Sequence, residues 1–308
     1  MTVAEYTPLS TPIYWLGTKT RMRNKILPII DQFKRKLYVE PFGGACGMMF
    51  GKPPEKAEIY NDANKLLTNM FQLLREPRSI ETLEELFSVT PVSRTMFYEL
   101  IPLTNAWRIG DEEEFRRQKV EAHLADYPDE IAVAYAFFYC MNSCYRGRIN
   151  YRASSFAGGQ KGEAADNTVR SYSKARGNLL AYAKRLKTVC IENLDYRKCI
   201  EKYDHETTLF YLDPPYATEV SKGYKTGWSE EDEDALVELL KSAKGSFVLS
   251  CYDTPRYEKL LDYGATREQF DAFTTIAQHG DGKKGKRTET VYWRGKKDEG
   301  AKRGELWE

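Results

Sequence analysis

The sequence predicts an α/β fold in which a mostly parallel sheet is assembled from both ends of the chain around an inserted, mainly helical middle. Three observations carry this. Strand-like runs flank a Gly-rich turn near the amino end. Four more strand signals follow residue 187, and residues 67–187 between the two sets read as helical, of mixed polarity. The boundaries expected are therefore 1–66 and 188–308 for the two parts of the sheet domain and 67–187 for the insertion.

In "KLYVEPFGGACGMMF", Leu37 to Val39 form a short apolar strand, the glycines a turn, and the apolar run after them the opening of a helix. "AEIYND" is a second strand, and Ala63 to about Leu74 a helix. A long helix-rich stretch follows. "IAVAYAFFYCM" is apolar on every side, which predicts a buried helix ending near Asn142. From Ser143 to Asp166 glycines and small polar residues break the periodicity, as in a hairpin or loop. The later strands are "TVCIEN", "TLFYL", "SFVLS" and "TVYWR", with the amphipathic helix "SEEDEDALVELLKSAK" between the second and third. The carboxyl end, "KKDEGAKRGELWE", reads as a solvated tail.

Composition narrows the function. A chain of 308 residues with 42% hydrophobic content is ample for a buried core. Six cysteines without a CxxC pair and three histidines give no zinc pattern, so no metal is expected. No charged start leads into an apolar run, and no segment approaches the ~20 apolar residues of a membrane span. The expected setting is the cytoplasm, with thiols reduced. Charge is divided unevenly. Residues Leu73 to Glu130 carry thirteen acids against seven bases, whereas Met141 to Lys187 carry ten bases against two acids. The basic stretch includes "NSCYRGRINYRASSF", with tyrosines and asparagines among the arginines. That pattern suits a polyanion, and a charge run also suits a solvated face.

The chemistry concentrates at two places. In "EPFGGACG", Gly43, Gly44 and Gly47 let backbone N–H groups approach a ligand, although their spacing is not the GxGxxG of a dinucleotide site, and a tight structural turn would use them too. Asp62 follows eighteen positions beyond Gly44, at the end of the second strand, where an acid commonly holds a ribose diol. The second place is "TLFYLDPPYA". Asp213 stands where a central strand stops, and the prolines hold Pro214 extended with its carbonyl outward. A carboxylate and a neighbouring carbonyl can accept both hydrogens of one exocyclic amine while Tyr216 stacks on the ring that bears it. The lone pair of such an amine is delocalised into its ring. These acceptors favour a pyramidal nitrogen, and the carboxylate stabilises the positive charge that grows there during attack on an electrophile.

The ordered set "YWLGTKT", "YVEPFGGACG", "EIYNDAN", "NSCYRGR", "FYLDPPY" and "FVLSCYDTP" resembles the Dam-like, alpha-class DNA adenine-N6 methyltransferases, from roughly Pro12 to Arg294. The resemblance implies a Rossmann-like S-adenosylmethionine-dependent methyltransferase sheet with an inserted target-recognition domain. It also implies transfer of a methyl group from S-adenosyl-L-methionine, leaving S-adenosyl-L-homocysteine, to the N6 amine of an adenine flipped out of double-stranded DNA. Position by position, Trp15 and Lys19 match amino-terminal cofactor contacts, with Lys19 suited to the methionyl carboxylate. Glu40, Phe42 and Gly44 match the glycine turn, Asp62 the ribose ligand, and Asp195 in "NLDYR" an acid near the cofactor adenine. Asp213, Pro214, Pro215 and Tyr216 match the catalytic tetrad, with Asp213 also beside the cofactor. Asn142 and Arg146 match a DNA-contacting segment, and Arg148 and Arg152 extend the same basic path. Two departures stand out: Cys46 where a glycine or small residue is usual, and Ser143-Cys144 in place of Gly-Leu. The setting implied is a bacterial or phage-infected cell, in restriction-modification or phage biology, and a monomer. Other amines (an RNA base, cytosine N4, a protein amide) are the alternative substrates, although those enzymes more often carry NPPY or SPPY. A silent DNA-binding subunit would be expected to lose Asp213 or Asp62.

Overall fold

The computed structural model describes residues 6–144, 156–157, 162–216, 228–277 and 284–296. Two compact units divide the chain. One comprises residues 1–21, 44–54 and 62–193, and the other residues 22–43, 55–61 and 194–308.

The second unit carries most of the sheet. Its strands β1 (Leu37–Glu40), β2 (Glu58–Asn61), β4 (Thr208–Leu212), β5 (Ser246–Cys251), β6 (Thr266–Ala277) and β7 (Lys284–Arg294), with β3 (Val189–Glu192), form a seven-stranded sheet of order β3-β2-β1-β4-β5-β7-β6. β1 runs parallel to β2 and β4, and β4 parallel to β5. β7 is antiparallel to β5 and to β6. The expected α/β architecture is thus present, with a parallel core closed by an antiparallel pair.

Register sorts the side chains onto two faces, because successive residues of a strand point oppositely. Val39 pairs with Phe210, Phe210 with Phe247, and Leu249 with Tyr292. This face packs on Tyr196, Cys199 and Ile200 of α9 (Tyr196–Tyr203), Leu236, Val237 and Leu240 of α10 (Glu230–Ser242), and Tyr257 of α11 (Pro255–Glu258). Each fully buried leucine or valine contributes roughly 1.5–3 kcal/mol. α10 starts where expected because Ser229 and Asp232 form a reciprocal capping box and four acids occupy the first turn, complementing the helix dipole. The opposite face bears Tyr38, Glu40, Tyr211, Val248 and Ser250, every one buried. A sheet covered on both sides explains why these strands read as near-continuous rather than alternating.

In the first unit, α2 (Lys65–Leu73) starts at Asn64, whose side chain accepts from the Leu66 N–H at 3.0 Å. α3 (Pro77–Val89), α4 (Arg94–Ile109), α5 (Glu112–Glu121), α6 (Asp129–Ser143), α7 (Gly162–Gly177) and α8 (Leu179–Leu186) follow. α6 is buried from Ile131 to Ser143, as its apolar circumference predicts. Its rings interlock with neighbouring helices: Phe138 lies 4.6 Å from Phe87 of α3, and Tyr139 lies 5.4 Å from Tyr172 of α7.

Several elements depart from the sequence expectation. The apolar run after the glycine turn forms only a 3-10 turn, Met49–Gly51, because Pro53 and Pro54 follow at once and neither can donate to a helical ladder. α7 begins at Gly162, inside the stretch read as a loop. α1 (Arg23–Ile30), α9 and β6 are not among the elements expected from the sequence, although α9 places Tyr196, Cys199 and Ile200 on one buried face at helical spacing. Among the described residues β6 is an edge strand whose one ladder is with β7, so nothing demanded an apolar alternation.

Candidate active site

The carboxyl edge of the parallel strands brings the Asp213–Tyr216 tetrad and the glycine-turn strand together. β1 and β4 are hydrogen-bonded neighbours in the same direction, so the chain after Glu40 and the chain after Leu212 leave the sheet at the same edge. Behind them lies the buried row of hydroxyls and carboxylates. The Tyr38 hydroxyl donates to Glu40 Oε1 at 2.8 Å, and Glu40 is 1% exposed. The Tyr216 hydroxyl donates to Glu289 Oε1 at 2.6 Å and lies 3.4 Å from Asp213 Oδ1. Ser250 donates to the same Glu289 oxygen at 2.5 Å. The Tyr216 ring sits 4.1 Å from that of Tyr252, at 40°. Burial, then the charges of Asp213 and Glu289, hold the Tyr216 phenol well above its ordinary pKa, so at neutral pH it is a donor. Tyr211 is pushed up for the same reasons, burial first and then Asp213 and Glu40. Pro214 is buried and Asp213, Pro215 and Tyr216 are half-buried, leaving the tetrad partly open to a substrate.

Glu289 was missed by sequence reading. The strand signal in the sequence begins at Thr290, whereas β7 starts at Lys284. Had the strand been extended by one residue, a glutamate alternating with Val291 and Trp293 would have stood out as a buried carboxylate.

The glycine turn is a cradle. Gly44 has φ +49°, and a Cβ there would lie 3.2 Å from Trp15 Nε1. At Gly47 a Cβ would meet Thr18 Oγ1 at 2.5 Å. The turn is therefore closed over by the amino-terminal segment that holds Trp15 and Lys19. Lys19 is buried, and its Nζ donates to the Gly17 carbonyl at 3.2 Å. Cys46 adopts φ +60°, a left-handed conformation that favours glycine, which accounts for the small residue usual at this position. Asp62 is fixed by two backbone donors, Gly44 N–H to Oδ2 at 2.9 Å and Asn64 N–H to Oδ1 at 2.8 Å. Burial raises its carboxyl pKa, and the two N–H bonds pull it back down. Each oxygen keeps a second lone pair for a ligand hydroxyl.

Phe42 lies 5.1 Å from Tyr196 and 5.5 Å from Trp228, with Tyr196 and Trp228 5.2 Å apart, so three rings form an aromatic wall. Exposed Asp195 caps α9, accepting from the Arg197 N–H at 2.9 Å. Arg197 stacks on Tyr196 at 4.4 Å and pairs with Asp232.

Among the residues expected at DNA, Asn142 is buried, and its amide donates to the carbonyls of Pro12 and Phe138, both at 3.0 Å. That amide group ties α6 to the amino-terminal segment. Arg146, Arg148 and Arg152 lie outside the described residues. Of the other bases in this stretch, Arg176 donates to the Phe87 carbonyl and buried Arg185 to that of Met49, while Arg170, Lys174, Lys184 and Lys187 are exposed. Among the described residues no cluster of three or more metal-ligating side chains occurs, and no helix is long and apolar enough to cross a membrane.

Comparison with known proteins accords with this geometry. No curated protein matches the chain. The family model of the D12 class N6 adenine-specific DNA methyltransferases matches residues 15–276, from Trp15 beside the glycine turn through the tetrad and into β6. The chain belongs to the D12 class of N6 adenine-specific DNA methyltransferases.

Proposed function

We propose that this protein transfers a methyl group from S-adenosyl-L-methionine to the N6 amine of an adenine flipped out of duplex DNA. The observation that carries the reading is Asp213-Pro-Pro-Tyr216 at the carboxyl end of β4, with Asp213, Pro215 and Tyr216 half-buried and the Tyr216 hydroxyl donating to Glu289. The first-unit residues fit such a cofactor: a glycine turn that a Cβ would obstruct, and an aspartate oriented by two backbone donors with lone pairs to spare. When bound, the cofactor supplies an electrophilic methyl group.

The protein's own groups do the rest. Asp62 accepts from the ribose hydroxyls, Lys19 neutralises the methionyl carboxylate, Phe42 offers a ring face to the adenine with Asp195 near its edge, and Glu40 orders the strand end. Asp213 and the Pro214 carbonyl accept the two hydrogens of the adenine amine, Pro215 keeps that carbonyl extended, and Tyr216 stacks on the base. As positive charge grows on the nitrogen, Asp213 stabilises it and no strong base is needed. Flipping costs a few kcal/mol, offset by this stacking and by contacts in the vacated space. Arg146, Arg148 and Arg152 contact DNA in this reading, whereas buried Asn142, expected from the sequence to contact DNA, instead anchors the helix before them through the Pro12 and Phe138 carbonyls. Residues 67–187 serve target recognition, with 1–66 and 188–308 forming the catalytic domain. The enzyme works without metal, as a monomer, in a bacterial or phage-infected cell.

Incubation with labelled S-adenosylmethionine and mixed-sequence DNA, followed by nucleoside analysis, tests substrate and product together. N6-methyladenine is expected. Label in cytosine, in RNA or in protein, or none at all, would overturn the assignment.

A further inference from the structure

Asn61, the last residue of β2, is fully buried, and its side-chain amide joins two segments of the second unit. Nδ2 donates to the Pro41 carbonyl at 2.9 Å and to the Leu194 carbonyl at 3.1 Å, while Oδ1 accepts from the Leu194 N–H at 2.8 Å. Turned over, the amide would set an oxygen against two carbonyls, so these contacts fix its orientation. The backbone carbonyl of the same residue accepts from the Gly43 N–H at 2.8 Å. One residue therefore grips both segments. Pro41 and Gly43 flank Phe42, and Leu194 precedes Asp195 and Tyr196, whose ring lies 5.1 Å from that of Phe42. Both backbone groups of Leu194 are engaged by Asn61, and the first side chain beyond the grip is that of Asp195, the exposed cap of α9.

We propose that Asn61 is a positioning residue that sets the spacing between Phe42 and Asp195, and with it the preference of the site for adenine over a purine lacking the exocyclic amine. This rests on reading Phe42 and Asp195 as the face and edge contacts of the cofactor adenine. A carboxylate bonds an amine only within a window of about 0.5 Å, whereas a stacked ring tolerates sliding. Loosening the grip therefore costs the edge contact first. A hypoxanthine ring presents a carbonyl oxygen at the same edge, which a carboxylate repels, so the edge contact can be read from ligand choice. Removing the Asn61 side chain strands two carbonyls and an N–H and lets the segments part.

The test uses the whole chain, calorimetry with S-adenosyl-L-homocysteine and with its deaminated analogue S-inosyl-L-homocysteine, and the variants Asn61→Ala and Asn61→Asp. Wild type should prefer the adenine ligand by about ten- to hundredfold, the worth of a hydrogen bond to a charged group. In Asn61→Ala, and in Asn61→Asp, which loses both donors, the preference should shrink to about threefold or less as the edge contact is lost. A merely structural role would weaken both ligands alike, so an unchanged preference in the variants overturns the proposal. Wild type that binds neither ligand overturns the cofactor reading as well. A second readout needs no ligand. In the free protein the Leu194 amide hydrogen should exchange faster in Asn61→Ala, while the amides of β1 and β4 keep their protection. Loss of protection throughout the sheet, or none at Leu194, overturns the local role. Should the variants not fold, the side-chain amide resonances of Asn61 in wild type decide: they should shift on binding S-adenosyl-L-homocysteine, and unmoved resonances overturn the proposal.

Discussion

Asp213 and Asp62 are both carboxylates at strand ends, but the proposed reaction gives them different work. In the proposed reaction Asp213 would meet charge that appears only during methyl transfer, so Asp213→Ala should keep cofactor and DNA affinity while turnover falls by about two orders of magnitude. Near-normal single-turnover rates would remove it from the mechanism. Asp62 would meet a ribose whose hydrogen bonds are alike in ground and transition states, so its loss should appear chiefly in binding. Its carboxyl already titrates above the ordinary 3.8, because burial outweighs the Gly44 and Asn64 N–H bonds. In the free protein the folded state therefore holds this proton more tightly than the unfolded chain, and the stability it contributes is lost as pH rises through the folded pKa. Ligand hydroxyls favour the ionised form. Cofactor affinity should accordingly fall on acidification from a higher pH than an ordinary aspartate would give, with proton release on binding in that window. Calorimetry in buffers of different ionisation enthalpy measures the proton, and a pH-independent affinity, or one unchanged in Asp62→Asn, would count against the ribose role. Both aspartates were legible in sequence because each follows an apolar strand and a motif surrounds it. Glu289 was not, since its partners Ser250 and Tyr216 are 39 and 73 positions away.

Elements were most legible where burial is uniform. α6 could be read from its composition, because a helix surrounded on all sides needs no polar stripe. The same central place makes its polar atoms consequential. Tyr139 accepts from the Ser93 N–H at 2.7 Å, and its own hydroxyl proton faces the Pro91 and Ser93 carbonyls at 3.1 and 3.0 Å. Ser93 is the cap of α4, so one phenol on α6 holds the start of another helix. Tyr139→Phe keeps the ring packing and strands those backbone groups, which should destabilise the protein by about 1–3 kcal/mol. Tyr98→Phe, at an exposed ring, should cost almost nothing. Equal denaturation midpoints for the two variants would show that Tyr139 acts only as a hydrophobic body. Elements were least legible at edges and punctuation. Among the described residues β6 pairs on one side only, and the 3-10 turn after Cys46 is cut short by prolines whose effect outweighs the apolar run before them.

At the scale of the whole chain a formal net charge of +1 conceals the division between an acidic stretch before residue 130 and the basic one from Met141 to Lys187. Not every base in that stretch is available to a polyanion. Arg185 is buried with a guanidinium nitrogen 2.9 Å from the Met49 carbonyl, and Arg176 donates to Phe87 at 2.8 Å, so these two are structural arginines inside a basic run. A sequence count cannot separate them from the exposed ones, because what distinguishes them is a carbonyl 136 or 89 positions away. The separation is measurable. If Arg146, Arg148 and Arg152 contact phosphates, alanine at each should weaken binding to every DNA sequence and flatten the salt dependence by about one unit of slope per contact. If Arg146 reads a base edge, its alanine variant should instead relax discrimination at one position by ~1–3 kcal/mol with little change in slope. Arg185→Ala should alter neither slope nor discrimination, and should lower the denaturation midpoint. Binding isotherms on cognate and scrambled duplexes at several salt concentrations, beside unfolding curves of the same proteins, distinguish these outcomes. Should the first three variants leave affinity, slope and discrimination untouched, the basic stretch is a solvated face, and the DNA surface is to be sought in "GDGKKGKRTET" at residues 280–290.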